Sequence, residues 1–348
     1  MLLLEQILYN EGVKRRYYMF VIPDDYVRKA SAFHGEEGLA WINRLPTILA
    51  NCEQRWKLTF APPFAYQSYA YHYIAPAVRS DGTAVVVKVH APTNEFTQEA
   101  EALRLCEGRG MVRLLDYDIN DRVLLLERLE PGTPLSELED DDEATSQAAA
   151  VMRQLWRPVP PVHPFPSIID WGRGFLRLRQ RYEGGNGPFP AALLQEAESL
   201  FTELSASMAE SVVLHGDLHH ENILAARRVP WLAIDPKGVV GEPAYETGSL
   251  LRNRLPGLRD APQAVRVLTR RVDLLAEVLD LDRARVRDWG MAQAVLSAWW
   301  IIEDGSDKWE EQIACAELLA AIERSWQTSF LNHPHRLFYY LPLWRFEN

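Results

Sequence analysis

The sequence predicts an α+β chain folded as two lobes, a small β-rich one followed by a larger, mainly helical one. Three observations carry this. The chain has 348 residues, enough for two domains of ordinary size. From Phe64 to Glu127, β-branched and aromatic runs alternate with turn signals around a single helical stretch. After Pro131 long helical patterns dominate, interrupted by two short apolar runs that each end in polar residues. The lobes are expected to span 19–130 and 131–330, with the break at Glu130-Pro131-Gly132.

Residues 1–18 read as an extension upstream of an initiator at Met19, and 24–57 as helical, with Leu39, Trp41, Ile42 and Leu45 on its apolar side. A strand over 64–78, the turn Ser80-Asp81-Gly82 and a strand over 83–89 make a hairpin. Thr93 or Asn94 is expected to cap a helix over 95–106 that stops at Gly108. Two further strands follow at 111–115 and 123–127. The acidic run 137–143 reads as a solvated helix entry or loop. Helices are expected at 144–156, 174–182, 191–210, 244–253, 262–280, 283–304 and 307–327. The aromatic tail 331–348 either packs on the body or is an extension.

The second lobe carries the chemistry. Leu214-His215-Gly216-Asp217 ends one apolar run, Asn222 follows Asp217 by five positions, and Asp235 opens the loop after Trp231-Leu232-Ala233-Ile234. Phosphoryl transfer needs this set: one Asp to accept the proton of the attacking hydroxyl, and an Asn and a second Asp to hold Mg²⁺ against the phosphates. Oxygen ligands suit Mg²⁺, which uses few protein groups. The histidines at 215, 219 and 220 offer a rival, a zinc hydrolase cluster. Their order and spacing do not match hydrolase motifs, and His34, His72, His90, His163, His333 and His335 are scattered. His215 is expected to orient the loop.

The formal net charge is -11. Nucleic-acid binding needs a basic footprint, so nucleic acid is not an expected partner; a small cationic substrate suits the sign better. The isolated Cys52, Cys106 and Cys315 fit a reducing cytoplasm and neither a zinc ribbon nor a disulfide framework. No apolar run approaches the ~18 residues of a membrane span. A monomer or dimer is expected.

The chain resembles the aminoglycoside phosphotransferase superfamily, and within it the aminoglycoside/hydroxyurea resistance kinases typified by streptomycin 6-kinases. The residues that carry the resemblance are His215-Gly216-Asp217 to Asn222, Ile234-Asp235-Pro236-Lys237-Gly238, the run from Gly241 to Asn253, Leu125 to Leu129 with Pro131-Gly132, and Gly108 to Leu115. It covers roughly residues 19–330.

The resemblance implies a bilobal protein-kinase-like fold. It also implies transfer of a nucleotide γ-phosphoryl to a hydroxyl of a cationic small molecule, streptomycin foremost. A metabolic kinase acting on another hydroxylated or hydroxyurea-like compound, and a nucleotide-binding pseudokinase, stay as alternatives. Asp217 becomes the catalytic base, and Asn222 and Asp235 the Mg²⁺ ligands. Lys88, in Val85-Val86-Val87-Lys88-Val89, becomes the phosphate-pairing lysine. Its carboxylate partner is Glu99, four before Leu103 on one helix face, with Glu101 and Glu95 as alternatives. Glu127 to Leu129 would bind the adenine edge through backbone groups. No GxGxxG precedes Lys88; Gln67 to His72 takes that place, with Ser68 a contact, which leaves both ATP and GTP open as donors. Gly216 stands where regulated protein kinases carry arginine, so constitutive activity is implied. Glu242, Glu246, Glu303 and Asp304 are the acceptor-binding candidates, since carboxylates bind guanidinium or ammonium groups well.

Overall fold

The computed structural model describes residues 22, 24–62, 64, 72–93, 95–253 and 262–323. The expected extension 1–18, the tail 331–348, Ser68 and Asn94 lie outside them.

The first part is a five-stranded antiparallel sheet in the order β1-β2-β3-β5-β4. Its strands are β1 (Leu58–Phe60), β2 (Tyr73–Arg79), β3 (Ala84–Val89), β4 (Leu114–Asp118) and β5 (Val123–Glu127). Side chains alternate faces along a strand, and the sequence uses that alternation twice. Tyr73, Ala75, Ala77, Val85, Val87, Val89, Val123 and Leu125 turn to one face. They form a core with Trp41, Ile42, Leu45, Leu49, Cys52 and Trp56 of helix α1 (Asp24–Trp56). The opposite parity puts Val86, Leu124 and Leu126 into the other core, which also holds Phe96 and Leu103 of α2 (Glu95–Cys106). Lys88 shares the parity of Val86, so the pattern that builds the sheet also aims the lysine away from α1.

The second part is helical: α3 (Asp141–Leu155), α4 (Ile168–Arg181), α5 (Ala191–Ala206), α6 (Pro243–Arg252), α7 (Pro262–Leu279), α8 (Arg283–Glu303) and α9 (Glu310–Ala320). Helix α8 is buried on every side from Val286 to Trp299, as expected of a helix at the centre of a lobe; α4, α5, α6, α7 and α9 pack around it. Two three-stranded sheets sit beside the helices. One is β6 (Pro131–Pro134), β9 (Ile223–Ala226) and β10 (Trp231–Ala233); the other is β7 (Arg157–Pro158), β8 (Val212–Leu214) and β11 (Val239–Gly241). No helix among the described residues is long and apolar enough to cross a membrane.

Several expected boundaries move. The strand expected over 64–78 occupies only 73–79, and Phe64 has no regular structure. The strand expected at 111–115 starts at Leu114, because Met111 bridges to Ala233 and the Val112 N–H donates to Ala233 O at 2.8 Å. Helix α4 begins six residues before Gly174, where Ser167 and Asp170 form a capping box. Helix α3 absorbs part of the acidic run, capped by the Asp140 carboxylate. Helix α9 is shorter than 307–327. Thr93 does not cap α2: its hydroxyl is buried with no hydrogen-bond partner among the described residues.

Candidate active site

Three polar residues lie just past the ends of three short strands. Strand β8 delivers His215, Gly216 and Asp217. The β9–β10 pair, in register at Ile223↔Ala233, is extended by the Ile234 N–H donating to Asn222 O at 2.9 Å. Asn222 and Asp235 therefore flank the open end of one hairpin. The two loops are tied together where His215 O accepts the N–H groups of Lys237 (2.8 Å) and Gly238 (3.2 Å).

His215 holds this loop from inside. Its Nε2 lies 2.8 Å from Ile234 O, and its Nδ1 accepts the Asp217 N–H at 3.2 Å. One nitrogen donates and the other accepts, so the imidazole is neutral. Burial agrees, lowering its pKa to about 4. Gly216 has φ 87°, and a Cβ there would meet Trp171 Cη2 at 2.7 Å; only glycine fits both demands. Asp235 also adopts a left-handed backbone, φ 59°, which is uncommon outside glycine but which aspartate tolerates better than most residues.

The Asp217 side chain is 28% exposed, and its Oδ1 accepts from Arg252 Nη2 at 3.0 Å. Burial works against its ionisation, but His219, Arg252 and Lys237 outweigh it and hold the pKa low. Its carbonyl accepts from Asn222 Nδ2 at 2.9 Å. That bond points the amide nitrogen of Asn222 at the loop, leaving Oδ1 on the opposite branch of the amide. This oxygen and the Asp235 carboxylate are hard donors of the kind Mg²⁺ takes, so the donor set fits that ion. Among the described residues, no group of three or more His, Cys, Asp or Glu is placed to hold a metal.

Lys88 is 3% exposed. Its Nζ lies 2.8 and 2.6 Å from the two Glu99 oxygens and also donates to Asp235 Oδ1. Burial lowers its pKa, but Asp235 and Glu99 reverse this and leave it raised. Asp235 is held well below the usual carboxylate range: burial opposes ionisation, and Lys237 and Lys88 overcome it. Of the two alternatives to Glu99, Glu101 pairs with Arg104 on the surface at 2.6 Å. Glu95 lies 3.5 Å from Lys237, across the cleft from α2.

Glu127 closes β5 with its carboxylate spent on Arg228 Nε, at 2.9 and 3.1 Å. Its N–H donates to Arg113 O at 2.9 Å. The Glu127 side chain is thus structural, and its N–H is spent on the main chain.

The four acceptor-site candidates separate. Glu242 is 7% exposed; its Oε1 takes Arg285 Nη2 at 2.6 Å and Trp289 Nε1, binding α6 to α8. Glu246 is 1% exposed and accepts the N–H groups of His215 (2.6 Å) and Gly216 (2.9 Å). Burial raises its pKa to about 7. Both expectations are corrected: these carboxylates fasten the lobe and the loop from within and offer nothing to a ligand. Glu303 and Asp304 are exposed at the end of α8. Glu303 forks onto Arg177 at 2.6 and 2.8 Å. The pKa of Asp304 is raised, by partial burial and by the charges of Glu303 and Glu95.

Sequence reasoning missed four participants. Lys237 and Arg252 stood inside the runs already singled out, two and seventeen positions after Asp235, without a role. Trp171 carried no local signal. It packs beside Gly216 and meets Trp300 edge-on at 5.7 Å, while the adjacent Trp299 is core. His90, with Nε2 3.0 Å from Glu99 Oε2, joined the set only through the fold.

The family model for aminoglycoside/hydroxyurea antibiotic resistance kinases matches residues 66–305. The streptomycin 6-kinase of Streptomyces griseus is 37% identical over 313 residues, covering 86% of this chain and 97% of that protein. The hydroxyurea phosphotransferase of Kitasatospora aureofaciens is 34% identical over 303 residues, covering 86% and 85%. Among solved structures, an aminoglycoside phosphotransferase in ternary complex with ADP and hygromycin B superposes with a TM-score of 0.55 at 14% identity, covering 79% of this chain and 98% of that one. That likeness is one of fold.

Proposed function

The chain belongs to the aminoglycoside/hydroxyurea antibiotic resistance kinase family, and from that footing we propose that it phosphorylates a hydroxyl of a streptomycin-class aminoglycoside, with ATP as donor. It is a nucleotide-dependent phosphotransferase. The observation that carries the rest is the convergence of Asp217, Asn222 and Asp235 at adjoining loop ends, with the Lys88–Glu99 pair against Asp235.

In this reading residues 19–130 seat the nucleotide and 131–330 the acceptor. Lys88, fixed by Glu99, pairs the nucleotide phosphates, and Asn222 Oδ1 and Asp235 would hold Mg²⁺. When bound, that ion neutralises phosphate charge. Backbone groups of Arg128 and Leu129 face the base. Asp217 orients the acceptor hydroxyl and takes its proton; a weak base suffices because the transition state is loose. Trp171 and Trp300 wall the acceptor beside Gly216, and Asp304 attracts its cationic groups from the rim. The cytoplasm, where the donor nucleotide is made, is the expected compartment, and a monomer or dimer the expected form.

The test is ADP release with Mg²⁺-ATP and streptomycin, with Asp217→Ala as the blank. Streptomycin-dependent turnover is expected, falling about 10³-fold or more in the variant while ATP binding persists. Turnover with hydroxyurea and not streptomycin would favour the second reading, which the 34% identical hydroxyurea phosphotransferase motivates. Unchanged kcat in the variant would remove Asp217 from its role.

A further inference from the structure

Arg252, the last residue of α6, is no part of the phosphoryl-transfer set, yet its guanidinium meets the carboxylate at the centre of it. Nη2 donates to Asp217 Oδ1 at 3.0 Å and to Ser249 Oγ at 3.2 Å. The side chain is 12% exposed, and Nε is buried with no hydrogen-bond partner among the described residues. A guanidinium has five N–H donors. Burying one with a donor unmet is costly, so such a pair is a poor source of stability, and its value must lie in what it does to Asp217.

What it does is geometric. The main chain of Asp217 is clamped on both sides, its N–H on His215 Nδ1 and its carbonyl on Asn222 Nδ2. The side chain retains its two torsions, and rotation about χ2 exchanges its two oxygens. Arg252 stops that rotation by taking Oδ1. The group facing Oδ2 is His219 Nε2, at 3.8 Å, too far for a hydrogen bond. One oxygen is anchored and the other is left to a substrate.

We propose that Arg252 is a positioning residue for phosphoryl transfer, anchoring Oδ1 of Asp217 so that Oδ2 faces the acceptor hydroxyl. The role rests on Asp217 being the base. In the step, the acceptor oxygen bonds to the γ-phosphorus as the bond from phosphorus to the β–γ bridging oxygen breaks. The hydroxyl proton passes to Oδ2, and the nucleoside diphosphate leaves with the electron pair. Arg252 exchanges no proton.

The test is a double-mutant cycle on the full chain, with Mg²⁺-ATP and streptomycin. Arg252→Ala is expected to lower kcat about 10- to 100-fold, as a misplaced catalytic group does, with the KM and Kd for ATP within about twofold of wild type. Arg252→Lys should recover part of the loss, since an ammonium restores the charge but not the fork. In an Asp217→Asn background, Arg252→Ala should cost no more than about twofold, because its effect runs through Asp217. A wild-type kcat in Arg252→Ala, or losses that multiply in the double variant, overturns the role. If Arg252→Ala fails to bind ATP, the same cycle run with Arg252→Lys decides between these outcomes. A wild-type kcat in Asp217→Asn alone overturns the base assignment and the Arg252 role with it; a loss there beside full activity in Arg252→Ala overturns only the latter.

Discussion

Lys88 touches Glu99 and Asp235 at once, so one side chain answers for two charges in different lobes. With Lys88→Met, Glu99 keeps, among the described residues, His90 beside it in a buried site, and breaking such a pair costs about 3–5 kcal/mol. Nucleotide affinity should fall at least about tenfold, since the phosphates lose a charge-assisted contact. The effects separate in Lys88→Met/Glu99→Leu. Removing both charges should recover most of the lost stability without restoring ATP binding, as urea melts and calorimetric titration would read. Recovery of both would mean that Lys88 serves the fold alone. The contrast with Glu242 is instructive. It too is a buried carboxylate held by a cation, but its partners Arg285 and Trp289 are fixtures of one lobe. Burial and an ion pair are therefore no sign by themselves of a working site.

Helix α6 is the element on which the site depends most. Its first turns carry Glu246 under the loop at 215–217, and its last residue is Arg252. It lies close against α8 because position 248 is glycine: a Cβ there would come 2.4–2.6 Å from the Gln293 amide, whose Nε2 donates to Tyr245 O. Gly248→Ala should therefore destabilise by about 1–3 kcal/mol through overpacking. It should also lower kcat by more than a surface substitution of equal destabilisation, because displacing α6 moves Glu246 and Arg252 together. Equal losses of kcat in such a matched pair would separate α6 from the chemistry. Helix α6 also marks how far the sequence could be read. Its span, α2, the 80–82 turn and the parity of Lys88 were legible because each follows from local periodicity or turn chemistry. The spacing of Asp217, Asn222 and Asp235 was legible because the strands delivering them are short and consecutive. The partners of β6, β7 and β11 were not, since two- to four-residue strands pair across long stretches of chain. For the same reason Glu246 read as a ligand-facing acid: nothing nearby in sequence shows that His215 and Gly216, about thirty positions earlier, fold against it.

Across the molecule, two buried groups near the loop make stability depend on pH in opposite directions. The pKa of His215 falls to about 4 in the fold, so as pH drops below about 6.5 the unfolded chain takes up its proton first and stability is lost. The pKa of Glu246 rises to about 7, so between about pH 7 and 4.5 the folded chain binds the extra proton and gains stability. Each has a limiting slope of about 1.4 kcal/mol per pH unit, and they offset. Glu246→Gln should expose the imbalance, with stability falling on acidification more steeply than in wild type, by up to that slope. Parallel urea-derived pH profiles for the two proteins would contradict the burial of a titrating Glu246. The lobes are also joined twice at the back of the cleft. Arg228, in the β9–β10 turn, holds Glu127 and the carbonyls of Gly108 (2.7 Å) and Met111 (2.6 Å). Ala233 donates to Gly110 O and accepts from the Val112 N–H. By chain order the hairpin bearing Asn222 and Asp235 belongs to the helical lobe; by bonding it is sewn to the sheet. The molecule therefore resembles a book stitched at the spine. Elsewhere between the lobes Glu95, 45% exposed, meets Lys237 at 3.5 Å, a longer and wetter tie than the stitching, so salt should loosen this pair before it loosens Arg228 from Glu127.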